Sequence, residues 1–178
     1  MRKQDSTKYA KALFQLATET NQIDKINRSL DKIATLFDKE DVYSFFANPF
    51  VDNTAKTDLI KNSFQELPEI LLNLLFILIH RRQIHLLPYI HEKYQQLIWR
   101  SKNILPATII SAFQLEKPVL ERIKNMLVQL TDKNILITQK IDKSVLGGVI
   151  IKAGEGENLV IDGSIRAKIN SISQEFLK

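Results

Sequence analysis

The chain has 178 residues, 44% hydrophobic and 25% charged, with a formal net charge of +5; this is the make-up of a globular protein with one large or two small domains. Lacking cysteine, it can build neither a disulfide framework nor a cysteine-based metal site. The opening Met-Arg-Lys-Gln-Asp-Ser-Thr has no apolar signal core and the helical pattern starts at once, so no cleaved transit segment is expected ahead of it.

The first hundred residues contain no glycine, and prolines at 49, 68 and 88 punctuate a series of helix-period segments. Thr7 is placed to cap a first helix whose apolar stripe runs Tyr9, Ala12, Leu13, Leu16, Ala17, widened by Ala10 and Phe14. Small Ala10 and Ala12 beside Tyr9 would let another helix approach closely. The second stripe is Ile23, Ile26, Leu30, Ile33, Ala34, Phe37, and a short helix over Val42 to Phe46 ends at Asn48-Pro49. Asp52 is expected to cap a fourth helix with Ala55, Leu59, Ile60 and Phe64 inward. Pro68 opens the most apolar helix, where from Ile70 to Ile79 only Asn73 is polar. That run is far short of the ~20 residues a membrane span needs, so it predicts a core helix with a side left over for a hydrophobic groove. The sixth helix is expected to start at Pro88, with Ile90, Tyr94, Leu97 and Ile98 inward.

The pattern changes at Ser101-Lys-Asn103. Ile104 to Ala112 reads as a strand, with Pro106 suited to an edge or first-residue position. A helix from Glu116-Lys-Pro118 carries Val119, Ile123, Met126, Leu127 and Leu130; Ile135 to Ile141 alternates as a strand with Ile135, Ile137 and Ile141 on one side. All five glycines then fall between Gly147 and Gly163. Gly147-Gly148 precede a strand at Val149 to Ile151, Gly154 and Gly156 turn the chain, and Leu159 to Ile161 return. Asp162-Gly163 is read as a left-handed corner, and Ser164 as the cap of a last helix bearing Ile165, Ile169, Ile172 and Phe176. The expected fold is therefore α+β: an all-α six-helix bundle over residues 1–103, then a small α/β domain over 104–178.

Candidate chemistry is sparse. No glycine is followed by lysine, so a P-loop is absent; Gly154-Glu-Gly156 has no glycine at 159, leads into a strand, and carries Glu155 and Glu157, which would repel a pyrophosphate. His80, His85 and His91 are spaced five and six apart and do not share a helical face as zinc ligands would. Asp142 and Asp162 could pose as an acid/base pair, but strand ends also want aspartates for turns and caps. Arg166, in the first turn of a helix, calls for a specific carboxylate or carbonyl partner. Trp99 is a packing anchor or an interface residue. No catalytic, cofactor-binding or metal-ligating set is assigned. Basic excess is spread along the chain apart from Arg81, Arg82, Lys93, Arg100 and Lys102 against Glu92. That local bias reads as a solvated basic face or as a docking surface for an acidic partner or an anionic membrane. A basic nucleic-acid-binding adaptor is the alternative reading for the whole chain, although the charge is spread out and the C-terminal strands carry no aromatic platform beyond Phe113 at a strand end.

The run Lys140-Ile-Asp-Lys-Ser-Val-Leu-Gly-Gly-Val-Ile-Ile-Lys-Ala-Gly154, then Val160-Ile-Asp-Gly-Ser-Ile-Arg166, resembles the C-terminal signature of the delta subunit of F-type ATP synthases. The mitochondrial relative in that family is the oligomycin-sensitivity-conferring protein. Tyr9-Ala-Lys-Ala-Leu-Phe14 is similar to the family's opening helix, so the resemblance spans the chain. Two details depart from it: the Gly154–Leu159 hairpin is longer, and Ala167 stands where a glycine often follows the arginine. The resemblance implies a non-catalytic peripheral-stalk subunit, one copy per complex, without a cofactor or nucleic-acid partner. It implies a peripheral position on the cytoplasmic face of a bacterial inner membrane, or its organellar equivalent. It further implies that the bundle takes up an N-terminal helix of an alpha subunit between the first and fifth helices, on Tyr9, Ala10, Ala12, Leu13, Leu74, Leu75 and Leu78. The C-terminal domain would meet b-type stalk subunits, with Gly147, Gly148, Asp162, Gly163, Ser164 and Arg166 as structural signature.

Overall fold

The computed structural model describes residues 2–145, 147–156 and 159–163. The chain divides into two compact units, Met1–Ile98 and Trp99–Lys178, each with its own hydrophobic core. The helical part consists of α1 (Arg2–Glu19), α2 (Ile23–Phe37), α3 (Glu40–Ala47), α4 (Asn53–Ser63), α5 (Glu69–His80), a 3-10 turn (Ile84–Leu86) and α6 (Leu87–Ser101). Six helices follow the six apolar stripes. The best-read element is α2, which buries Ile26, Leu30, Ile33, Ala34 and Phe37, the members of its stripe apart from partly buried Ile23. Tyr94 of α6 is fully buried at the centre, edge-on to Phe14 at 5.9 Å, with its hydroxyl donating to the Ile23 carbonyl at 3.3 Å.

Helix ends follow from backbone accounting. After α1 and after α5 the chain closes a Schellman motif: Gln22 N–H donates to Ala17 O at 2.8 Å, and Gln83 N–H to Leu78 O at 2.7 Å. Each motif needs one left-handed residue, supplied by Asn21 (φ 53°) and Arg82 (φ 54°). Pro68 precedes α5 as its N-cap rather than sitting inside its first turn. In α4 the inward face is rotated from the expected one. Ala55 and Leu59 are exposed, while Lys56, Thr57 and Ile60 are buried. Lys56 goes inward because its Nζ donates to the Asn48 carbonyl at 2.6 Å, satisfying the end of α3. A bond of this kind is invisible in a periodicity.

The second unit contains β1 (Ile104–Ser111), α7 (Lys117–Thr131), β2 (Asn134–Ile141), β3 (Val149–Ala153) and β4 (Leu159–Asp162). The sheet order is β2-β1-β3-β4; β1 and β2 are parallel, joined through α7, and the other pairs are antiparallel. Ile123 and Leu127 of α7 pack with Ala107, Ile109, Ile135, Ile151 and Ala153. Val119, Met126 and Leu130, expected inward with them, are 42%, 37% and 65% exposed. A helix lying on a small sheet buries one line of side chains, and theirs is the neighbouring line. Ile141, expected on the inward side of β2, is likewise exposed where that strand ends. β1 is interior rather than an edge strand. It tolerates Pro106 because pairing to β3 begins one residue later, at Ala107 opposite Ala153. The Pro106 carbonyl still accepts from Gly154 N–H at 2.9 Å, so its missing N–H costs one bond at the ladder's end.

Candidate functional site

The first candidate surface lies where α1 packs against α5. Two apolar stripes run along α1, offset by one residue. Ala10, Leu13 and Ala17, continuing the line of buried Ser6, face the core. Tyr9, Ala12 and Leu16 form the neighbouring line, and of these Tyr9 is half-buried, Ala12 is exposed and Leu16 is 45% exposed. α5 repeats the division: Leu71, Leu74, Leu75 and Leu78 are core, whereas Ile77 is 44% exposed beside exposed Asn73 and His80. Of the seven residues expected to line an open groove, Ala10, Leu13, Leu74, Leu75 and Leu78 are therefore buried, and Tyr9 and Ala12 reach the surface. An apolar arc wider than one contact splits: the core takes one line and leaves the next. Two further apolar residues of these helices are exposed: Leu16, placed in the inward stripe, and Ile77, lost within a uniformly apolar run.

Tyr9 fixes the register of this surface. Its hydroxyl donates to Gln83 Oε1 at 2.9 Å and accepts from Arg81 Nη1 at 3.3 Å, joining α1 to the end of α5. Lys8, Lys11, His80 and Arg81 are exposed on these two helices, and Asp5, which shares the line of Tyr9, Ala12 and Leu16, pairs with Lys8 at 3.9 Å. An exposed apolar line of this kind, with charged residues near it, suits an amphipathic helix better than a small molecule.

The glycine segment forms the second candidate. Gly147 (φ 133°) and Gly148 (φ 78°) lead into β3, and Gly154 (φ 93°) and Gly156 (φ 74°) place Glu155 at the hairpin tip. There the Glu155 carboxylate accepts a fork of hydrogen bonds from Arg100, at 2.7 Å from Nε and 2.5 Å from Nη2; this pairing raises the Arg100 pKa. Gly163 is not left-handed, contrary to expectation. Its small size answers to close approach: a Cβ there would meet the Val149 carbonyl oxygen at 3.3 Å, the same oxygen that accepts from Gly163 N–H at 2.9 Å. Asp162 pairs with Ile150 in the β3–β4 ladder. Ser164, Arg166 and the expected last helix lie outside the described residues.

Catalytic readings find no geometry among the described residues. Asp142 follows β2 and Asp162 ends β4, on opposite edges of the sheet. Three strand spacings of about 4.8 Å put them roughly 14 Å apart, beyond the ~9.5 Å limit of a carboxylate pair working across one bond. Asp142 instead accepts from Ser144 N–H at 2.9 Å in a local turn. No group of three metal-binding side chains occurs among the described residues, and His91 lies 3.5 Å from Asp31. No described helix is long and apolar enough to cross a membrane. The described strands carry no aromatic side chain, so the sheet offers no stacking platform for single-stranded nucleic acid.

The family model for the ATP synthase delta (OSCP) subunit matches residues 6–176. The ATP synthase subunit delta of Citrifermentans bemidjiense is 32% identical over 174 residues, covering 96% of this chain and 94% of the relative. That of Clostridium beijerinckii is 31% identical over 173 residues, covering 96% and 95%. In fold, the chain is similar to one in the Toxoplasma gondii mitochondrial ATP synthase hexamer, with a TM-score of 0.73, 15% identity and 97% of each chain covered. A chain of the Polytomella F-ATP synthase head and rotor is similar at 26% identity and a TM-score of 0.51, over 55% of this chain and 88% of that one. With its glycine segment, its opening helix and nearly its full length accounted for, the chain belongs to the delta (OSCP) subunit family of F-type ATP synthases.

Proposed function

We propose that the chain is a non-catalytic stator component, joining the alpha subunits of the catalytic head to b-type peripheral-stalk subunits so that the head does not turn with the rotor. The first unit receives the amphipathic N-terminal helix of an alpha subunit along α1 and α5. The second unit meets the ends of the stalk helices. The subunit is peripheral to the membrane, carried there by the complex. The observation that carries this reading is the exposed apolar line of Ala12 and Leu16 beside half-buried Tyr9 on α1, the helix that packs against α5. Ala10, Leu13, Leu74, Leu75 and Leu78 support the seat from beneath. Helix-in-groove binding draws on such a line for affinity and on the charged residues near it for orientation. In the second unit, Val119, Met126 and Leu130 form the corresponding exposed line along α7.

The test is direct. Titration of the full chain with a peptide of the alpha-subunit N-terminus should show saturable binding, and Ala12→Arg should abolish it while helical circular dichroism stays unchanged. Unaltered peptide affinity in Ala12→Arg would remove α1 from the seat.

A further inference from the structure

A second concavity in the helical unit, on α3, α4 and the turn after α5, has a different chemistry. Its volume is about 280 Å³, near the ~300 Å³ lower end of small-molecule pockets. Lys56, Arg82 and His85 line it together with Tyr43, Phe46 and Pro49; no carboxylate lines it. Lys56 is 4% exposed and spends one N–H on the Asn48 carbonyl, leaving further donors of its ammonium for the cavity. Arg82 has no ion-pair partner among the described residues, and it occupies the left-handed position of the Schellman motif after α5. The other three left-handed non-glycine residues are Asn21, Asn103 and Asp132, types that tolerate that conformation; arginine does not share their advantage. A strained backbone thus holds a long cation at the cavity mouth.

We propose that this cavity binds a small phosphate monoester, its anionic head held by Lys56, Arg82 and His85 and its organic part lying against Tyr43, Phe46 and Pro49. Arginine matches phosphate oxygens with a planar fork, lysine adds a point charge, and imidazole adds a further N–H donor. Burial first, and then the repulsion of Arg82, lowers the Lys56 pKa, and a bound anion relieves both. A bare phosphate would leave the apolar wall unused.

The test is calorimetric titration of the full chain at low ionic strength with two probes, phenyl phosphate and inorganic phosphate. Phenyl phosphate should bind saturably and about three- to tenfold tighter than inorganic phosphate, the share expected of one aromatic contact. Arg82→Gly and Arg82→Asn both suit the left-handed position, so the melting temperature should hold while phenyl phosphate binding weakens about tenfold or more. Absence of saturable binding by either probe, or affinity unchanged in both Arg82 variants, would overturn the site. Equal affinity for the two probes would overturn the assignment of an organic ester.

Discussion

At Gly163 the side chain is missing because the strand crossing it comes close, not because the backbone turns left-handed. Gly163→Val should therefore destabilise the second unit by overpacking against the Val149 carbonyl, by about 1–3 kcal/mol. Chemical denaturation of the full chain checks this. A variant as stable as the parent that nevertheless lost stalk binding would make the glycine a contact residue. Asp142 makes a second residue-scale case. Hydrogen bonds from Ser144, side chain first and then backbone, hold its carboxyl below the ordinary 3.8. A depressed folded-state value means the turn's contribution is fully present above pH 3.8 and is lost as pH falls through the lower folded value. Carbon-detected titration should place Asp142 below 3.8, and Ser144→Ala should move it upward. A titration at the ordinary value in both proteins would contradict the turn.

At the scale of one element, α1 separates two kinds of apolar residue that look alike in a sequence. Leu13 is 3% exposed and packed in the core, so Leu13→Ala should cost about 2–5 kcal/mol and lower the unfolding midpoint. Ala12 and Leu16 lie one helical step away on the open line, so Leu16→Ala should leave stability within about 0.5 kcal/mol. Its predicted effect is instead on alpha-peptide affinity. Denaturation and peptide titration on the same two variants give opposite rankings if the two lines have these roles. Equal loss of peptide binding in both, with equal stability, would merge them. The same division explains why α5 looked over-hydrophobic: its core line is complete, and Ile77 is what remains.

At the scale of the molecule, the two units have separate cores and, in the proposed function, separate partners. A fragment of residues 1–102 retains all of α6, which ends at Ser101, and should fold alone and keep alpha-peptide binding. Stalk binding should travel with residues 104–178. Circular dichroism and pull-down with a b-subunit fragment test both statements, and an unfolded 1–102 fragment would defeat the modular account. Limited proteolysis should cut after Lys102, in the turn beyond α6, before it cuts after Arg100, which is helical and forked to Glu155.

Much of this protein is determined locally. The glycine-free stripes determined six helices, because a 3.6-residue apolar period has few other ways to be buried. Alternation and the clustered glycines determined the strands and the hairpin, and the same segment carried the family resemblance. What tertiary structure decided is the phase of each stripe. Choosing Ala10, Leu13 and Ala17 over Tyr9, Ala12 and Leu16 depends on where α5 lies, and a helix apolar over a wide arc does not contain that answer. Lys56 turned inward because Asn48, eight residues away, offered a carbonyl that needed a donor. Pro106 entered an interior strand because β3 stops one residue short of it. In each case something outside the element decided: a packed helix, a carbonyl at the end of another helix, or the point where strand pairing stops. Periodicity measures how apolar a face is, whereas tertiary packing selects which face is used.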